Sequence, residues 1–568
     1  MLPFSALGFL NLKYGLSFID EGMYLTDAWR LTKGDDLFPD ADRTIATLYH
    51  VFSQLPFQIQ DNLGVLGFRR VQFFAATAVG ILFFYFFYNR FILIRHNVAI
   101  ILAPFFFLGF DSVGLSSSFS YYSVTVFFLL LATILEATLV DEGRRIQGTA
   151  RHFCTFLLGL MVLCAGVSYL PSALIGIFFL VRIANREEQV YKQAFFFLIP
   201  ATFYLSTIAI NYNEFMQLIP FILYNNKDAA AGIYPYTLPY LAWASLIVSI
   251  FVSTIFLKHA FLKILISLVC LILFFFSRSL ADLGILPLFY NGWFQYPGMF
   301  AALNCVLAIL FIGAMSVPSK YALFNKNSQY YNVGSALLLI YFFSCLSFSL
   351  TSGLGILLFS NMSFVLWIAL ALLITDSKSL RIKSVKNPAV ALYFCTALSV
   401  CFADYEFTYF DQKPTDLNTT IEQGPASGIV TNSVNAQIIY AIQDVASALS
   451  KPEDFILSFD RTPMTYFLAQ RRPALDHSWV GITGGKEEQS IHAINKMVRH
   501  GREPTLAFHW LSSALWFPGG ENAKYSFSGF SESNEKFILA YVRQNMEFVG
   551  TINVFDRPII EVYKAKTK

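Results

Sequence analysis

Asp20 and Glu21 stand side by side in the run Ile19-Asp20-Glu21-Gly22-Met23-Tyr24-Leu25-Thr26-Asp27-Ala28-Trp29, where an apolar N-terminal stretch gives way to polar sequence. A carboxylate at a membrane boundary loses part of its hydration, so it persists only where a partner, a cavity or a substrate compensates it. Asp20 is accordingly the candidate catalytic base. Asp20, Tyr24 and Asp27 are spaced i, i+4 and i+7, so they share one face if the segment is helical, with Glu21 projecting to the side. The plain alternative stays open: both acids only load the first turn of a juxtamembrane helix and stabilise its dipole by a few tenths of a kcal/mol.

The elements that must position these residues are set by composition. Hydrophobic residues make up 56% of the 568, aromatic residues 17% and charged residues 14%, with a mean hydropathy of +0.54. A soluble core cannot hide that much apolar surface, so the chain reads as an integral membrane protein. The net charge of +3 is small and the basic residues are scattered, which gives no electrostatic footprint for nucleic acid. Cys154, Cys164, Cys270, Cys305, Cys345, Cys395 and Cys401 all fall in apolar runs, which argues against a disulfide framework and a Cys-rich metal site.

A hydrocarbon core about 30 Å thick needs roughly 20 apolar residues per helix, and on that ruler the chain holds about thirteen transmembrane helices. The first, Leu2 to Phe18, is short and lacks the basic start and the cleavage site of a signal peptide. Others are expected near 71–88, 91–110, 122–140, 153–166, 167–180, 194–210, 240–257, 261–277, 298–317, 333–350, 354–374 and 390–402. Around Pro171 the chain is either a hairpin or one broken helix. Lys and Arg are retained on the cytoplasmic side, and clusters such as Arg144-Arg145 and Arg182 fall on one side only with the hairpin. That topology leaves the Asp20 loop, the Asp111 loop and the C-terminal region on the non-cytoplasmic face.

The fold class is thus a polytopic α-helical membrane domain over residues 1–402 and a soluble α/β domain over 403–568. In the latter, 428–431, 455–459, 505–508 and 559–563 read as strands and Ala436 to Leu449 as an amphipathic helix, with Tyr405 to Gln423 as the linker. The segment Tyr49 to Gln60, with Phe52, Leu55, Phe57 and Ile59, is expected to lie in the interface and not to span.

Asp-Glu at the end of the first span, followed by Tyr24, Ala28, Leu31, Gly34 and an acidic turn at Asp40, resembles the first-loop signature of the GT-C membrane glycosyltransferases, in the branch of protein O-mannosyltransferases and the ArnT-like aminoarabinose transferases of lipid A. The resemblance implies a polyprenyl-phosphate sugar donor, an acceptor that is a glycan, lipid or protein, and displacement with inversion. Asp20 then takes the proton from the acceptor hydroxyl, which partial desolvation favours, and Glu21 supports it by a hydrogen bond or by touching sugar or ion. After Gly34 the chain departs from the aminoarabinose branch: in place of a proline-rich stretch leading to a basic residue it reads Asp40-Ala41-Asp42-Arg43-Thr44. Sugar identity is therefore not carried over.

Asp111, followed by Ser116-Ser117-Ser118-Phe119-Ser120-Tyr121-Tyr122-Ser123, resembles the family's second outer loop, which closes the active site; the plain reading is a helix end with polar caps. Asp111 joins Asp20 and Glu21 as a catalytic candidate, and Tyr24, Lys33, Tyr121, Tyr122 and Arg278 as substrate-binding candidates complete the set. Arg278 ends a very apolar helix and either binds the lipid phosphate or snorkels to headgroups. Arg69 and Arg70 read as headgroup anchors. Carboxylates and water suit Mg²⁺ or Mn²⁺, so a divalent ion stays open, although the resembled branch manages without one.

Two functions compete. A transferase explains why carboxylates, loops and a soluble domain gather on one face. A transporter or lipid-linked sugar flippase expects charges at the bilayer midplane and repeated halves, of which Glu136 alone is a partial sign. A bacterial inner membrane with the C-terminal domain in the periplasm suits either, with membrane lipids as surroundings.

Overall fold

Most of the apolar runs fold as helices in the computed structural model, which describes residues 2–35, 47–105, 120–141, 148–168, 174–186, 190–210, 295–316, 328–351, 359–360, 362–378, 383–406, 411, 414–459, 462–476, 487–511, 533–554 and 556–566, with isolated positions at 146, 324 and 478 and between 241 and 272. The N-terminal helices are α1 (Leu2–Asn11), α2 (Asp20–Thr32), α3 (Thr47–Ile59), α4 (Val65–Arg90) and α5 (Arg95–Leu102). There follow α6 (Tyr121–Asp141), α7 (Gly148–Ser168), α8 (Leu174–Arg186), α9 (Val190–Ile210), α10 (Gln295–Ser316), α11 (Gln329–Thr351), α12 (Ser363–Thr375) and α13 (Lys386–Glu406). The C-terminal helices are α14 (Ser433–Leu449), α15 (Met464–Ala469), α16 (Glu487–Arg499) and α17 (Ser533–Asn545).

Two compact units emerge. One gathers Met1–Phe9, Phe74–Leu115 and Tyr121–Asp404; the other gathers Leu10–Phe73, Ser116–Ser120 and Tyr405–Lys568. Hydropathy had placed residues 10–73 with the membrane part, yet they belong to the compact unit of the C-terminal sheet.

In the helical unit α6 packs on α7 and α11, α7 on α9, and α11 on α12. Among the described residues, four helices are long and apolar enough to cross a membrane: Val65–Arg90, Tyr122–Val140, Gly148–Gly166 and Met299–Ser316. The expected spans at 240–257 and 261–277 lie largely outside the described residues, as does the Pro171 turn. One expectation is corrected. The segment from Phe91 breaks into a 3-10 turn, Ile92–Ile94, and the 8-residue α5, because Phe91 leaves the helical region at φ −118°, ψ 77°. Of the run to Ile374, residues 354–358 and 361 lie outside the described residues, and Met362 takes a left-handed φ of 54° just before the helix that starts at Ser363. Every residue of α12 from Ser363 to Ile374 is buried, so this helix is core and not a lipid-facing wall.

The first helix also ends early. α1 stops at Asn11 after 10 residues, about 15 Å of rise. The chain then turns, Gly15 adopts φ 73°, and Tyr14 forms a parallel bridge with Val430. Backbone hydrogen bonds seal it: Val430 N donates to the Lys13 carbonyl at 2.7 Å and Gly15 N to the Val430 carbonyl at 2.9 Å. Helix α3 is two-faced, with Tyr49, His50, Ser53 and Phe57 buried and Val51, Leu55 and Ile59 exposed, the pattern an interfacial helix requires.

The C-terminal part of this unit holds strands β1 (Thr419–Thr420), β2 (Val430–Thr431), β3 (Phe455–Phe459), β4 (Arg472–Pro473), β5 (Leu506–Trp510), β6 (Met546–Val554) and β7 (Arg557–Ala565). Five of them form a sheet in the order β4-β3-β5-β7-β6, parallel from β4 to β5 and antiparallel beyond. Leu457, Phe459 and Ala507 from the sheet pack with Met497 of α16 and Val542 of α17 to make the core. The expected linker is described at 405–406, 411 and 414–423. Asp411 within it is buried and accepts hydrogen bonds from Leu16 N at 3.2 Å, Thr431 Oγ1 at 2.5 Å and Asn432 Nδ2 at 2.6 Å, which ties it to the stretch after α1 and to the junction of β2 with α14.

Candidate active site on the first carboxylate helix

Asp20 opens α2, and the helix exists as expected over the acidic run. Two carboxylates in its first turn complement the partial positive charge of the helix N-terminus, which lacks a side-chain cap at Ile19. Asp20 is half-buried, whereas Glu21 beside it is buried. Both Glu21 oxygens accept from one guanidinium: Arg69 Nε donates to Oε1 at 2.6 Å and Arg69 NH2 to Oε2 at 2.6 Å. The Ser17 amide adds a bond to Oε2 at 3.3 Å.

Arg69 was expected among lipid headgroups and is instead buried. Beyond Glu21 it donates to the carbonyls of Leu12 at 2.6 Å, Tyr14 at 3.3 Å and Gly15 at 2.9 Å. It staples the turn after α1 to α4. The signal was available: adjacent helical residues point about 100° apart, so Arg69 and the exposed Arg70 could not share one environment.

Tyr24 packs its ring edge-on to Tyr49 at 5.8 Å, and the Tyr49 hydroxyl donates to the Tyr24 carbonyl at 3.3 Å. Burial pushes the Tyr49 phenol well above its usual range, and the nearby Asp27 charge raises it further. Burial raises Tyr466 too, with Asp27 again contributing. Both phenols therefore stay protonated at neutral pH around the buried Asp27. Lys33 caps the far end of α2 and is exposed. Thirteen residues of helical rise, about 20 Å, separate it from Asp20, so the structure does not bring these two candidates together.

The far end of α2 carries a second cluster that sequence reading missed. Arg30 is buried and donates through Nε to Asp35 Oδ2 at 2.6 Å, through NH1 to the Asp476 carbonyl at 2.8 Å and through NH2 to the Leu475 carbonyl at 3.4 Å. Asp35 Oδ1 also accepts from Arg472 NH1 at 3.1 Å and Arg502 NH2 at 3.2 Å. Separations of 437 and 467 positions leave no local signal for these pairs.

Asp111 and Arg278 lie outside the described residues. Tyr121 opens α6, and Tyr122 is half-buried with its ring 6.2 Å from that of Phe348. Among the described residues no three His, Cys, Asp or Glu side chains gather as a protein-held ion requires.

By the length and apolarity of its helices the chain is an integral membrane protein, mostly helical, with a sheet-containing C-terminal region. No protein-family model and no curated protein matches it. Solved structures do. It is similar to ArnT from Cupriavidus metallidurans in the apo state, with 11% identity over 99% of this chain and 97% of that one and a TM-score of 0.44. The same protein bound to undecaprenyl phosphate gives 11% identity, 99% and 96% coverage and a TM-score of 0.45.

Proposed function

We propose that this protein is a membrane glycosyltransferase of GT-C type that moves a sugar from a polyprenyl-phosphate donor to a hydroxyl of a glycan, lipid or protein on the non-cytoplasmic face, with Asp20 as general base. The observation that carries this reading is the division of labour in the acidic pair. Glu21 is buried against Arg69, while Asp20, one residue earlier, is half-buried on a helix whose other acid, Asp27, is buried. A base must touch solvent or substrate yet be partly desolvated, and Asp20 meets both conditions.

In the proposed reaction Asp20 accepts the acceptor hydroxyl proton as that oxygen bonds to the anomeric carbon. The bond from that carbon to the lipid phosphate oxygen breaks, the phosphate leaves as an anion, and the anomeric centre inverts. Arg278 is the proposed partner of the leaving phosphate. Asp111, Tyr121 and Tyr122 are proposed to close over the sugar, and Tyr24 supports the helix face that carries Asp20. The same proposal has the protein in a bacterial inner membrane with its C-terminal domain facing the periplasm.

The test is transfer of radiolabelled sugar from undecaprenyl-phosphate donors to endogenous acceptors in membranes, comparing the unmodified protein with Asp20→Asn at matched expression. A loss of about 10²- to 10⁴-fold is expected for removal of a general base. Full activity in the variant removes Asp20 from the mechanism, and no transfer by either protein puts transport ahead of transfer. Runs with EDTA, then with Mg²⁺ or Mn²⁺ restored, read the contribution of a divalent ion.

A further inference from the structure

Helix α2 has 13 residues, a length at which an isolated helix is marginal in water. Its position is therefore set by what it packs against. Near its start Met464 N donates to the Phe18 carbonyl at 3.1 Å. One turn on, Gly22 lies flush on α15: a Cβ there would stand 2.3 Å from the Met464 backbone nitrogen. At mid-helix Thr26 Oγ1 donates to the Pro463 carbonyl at 2.8 Å. These contacts run backbone to backbone, or to a backbone carbonyl, and leave little slack.

The far end is fixed by charge. Asp35 is fully buried and receives Arg30 from α2, Arg472 from β4 and Arg502 from the turn before β5. The two sheet-borne guanidiniums also lie over one ring, that of Phe455 at the start of β3, at 4.6 and 5.1 Å. Strand β4 and the approach to β5, flanking β3, thus converge on a single carboxylate that belongs to the first loop. The convergence requires the parallel part of the sheet to be assembled, because Arg472 and Arg502 reach Asp35 from opposite sides of β3.

We infer that the C-terminal sheet is the scaffold of the Asp20 helix, and that Asp35, Arg472 and Arg502 are positioning residues that hold α2 in register for catalysis. This rests on the reading of Asp20 as base. A catalytic group must be held to within about 0.5 Å, and a latch at one end of a short rigid helix transmits displacement to the other. The C-terminal region is then a working part of the transfer site, and its sheet edge sets the rate.

The experiment uses the full-length protein in nanodiscs with Asp35→Asn. Hydrogen exchange is read by mass spectrometry, and transfer kinetics are read per folded molecule. Expected results are at least tenfold faster exchange confined to residues 18–35, undisturbed protection in β3 and β5, at least tenfold lower kcat, and a donor KM within twofold. Asp35→Glu should recover part of kcat. Should Asp35→Asn fail to fold, Arg472→Gln removes one partly exposed partner while Arg30 and Arg502 remain, and the same readings apply. Unchanged α2 exchange overturns the latch. Loosened α2 with kcat unchanged overturns its role in positioning, while a dead Asp20→Asn variant would leave the base assignment standing. If Asp20→Asn is active, the base assignment fails by itself, and with it the positioning of Asp20, whatever the exchange data show about α2.

Discussion

The helical unit holds its buried carboxylate Glu136 with Arg182 at 2.8 Å, a guanidinium 20% exposed that also lies near the Phe178 ring. The other unit handles buried charge differently: Arg69 there is 4% exposed and satisfies Glu21 plus three carbonyls, and Asp35 is met by three arginines. Apolar packing is non-directional, so a helix filled with Leu and Phe can slide or rotate slightly at small cost. A bidentate ion pair and a run of carbonyl acceptors fix distance and angle together. The difference teaches where orientation matters in this chain: around α2, the helix that carries the candidate base.

The sharpest way to break that comparison is Arg69→Ala. It strands Glu21 and three carbonyls, and losing one partner of a buried pair costs about 3–5 kcal/mol. Arg182→Ala should cost less, on the order of 1–3 kcal/mol, because the partner removed is partly exposed and donates to one Glu136 oxygen, not to two oxygens and three carbonyls. Thermal unfolding of both variants in detergent checks the order; equal losses would erase the distinction between the units. Next comes Asp411→Ala, which leaves Leu16 N, Thr431 Oγ1 and Asn432 Nδ2 without their acceptor. About 2–3 kcal/mol is expected, with faster proteolysis between residues 405 and 423 as the local readout.

Gly22→Ala follows in size. Overpacking typically costs about 1–3 kcal/mol, and here the clash is with the Met464 backbone, which has no rotamer to change. The helix must move and Asp20 moves with it, so transfer should fall further than stability alone accounts for. Gly313, around which a Cβ meets nothing within 4 Å, is the control: Gly313→Ala should leave both unchanged.

What the sequence disclosed divides along the same line. Helices α4, α6, α7 and α10 were legible because an apolar run of membrane length suffices to specify each one. Strands β3, β5 and β7 were legible from short β-branched and aromatic runs. The early stop of α1 was not, since Leu2 to Phe18 carries a single charge, and the turn after Asn11 is fixed by a bridge from Tyr14 to the distant Val430. β6 was missed because its pairing shifts register at Phe548/Gly550 and Ile552/Asn553, which breaks the alternation that marks a strand. In the candidate site Asp20 and the helical spacing of Tyr24 and Asp27 were legible from local pattern. Arg69, Asp35, Arg472 and Arg502 were not, because an ion pair between distant positions leaves no periodicity to read.

The smallest expected effect sharpens the comparison from the sheet side. On β5 and β7, His509 Nδ1 lies 2.9 Å from Glu561 Oε2, and the Tyr563 hydroxyl donates to the same oxygen at 2.7 Å. Burial alone would raise the Glu561 carboxyl, yet the hydrogen bonds from Tyr563 and His509 outweigh it and hold the group below its usual 4.5. A carboxyl lowered in the folded state stabilises the fold above its unfolded value and loses that contribution as pH falls through the folded one. Between pH 6 and pH 3 the unmodified protein should therefore lose melting temperature that Glu561→Gln does not, a difference on the order of a degree. If the two proteins lose melting temperature in parallel between pH 6 and pH 3, the bonds from Tyr563 and His509 carry no weight in the sheet.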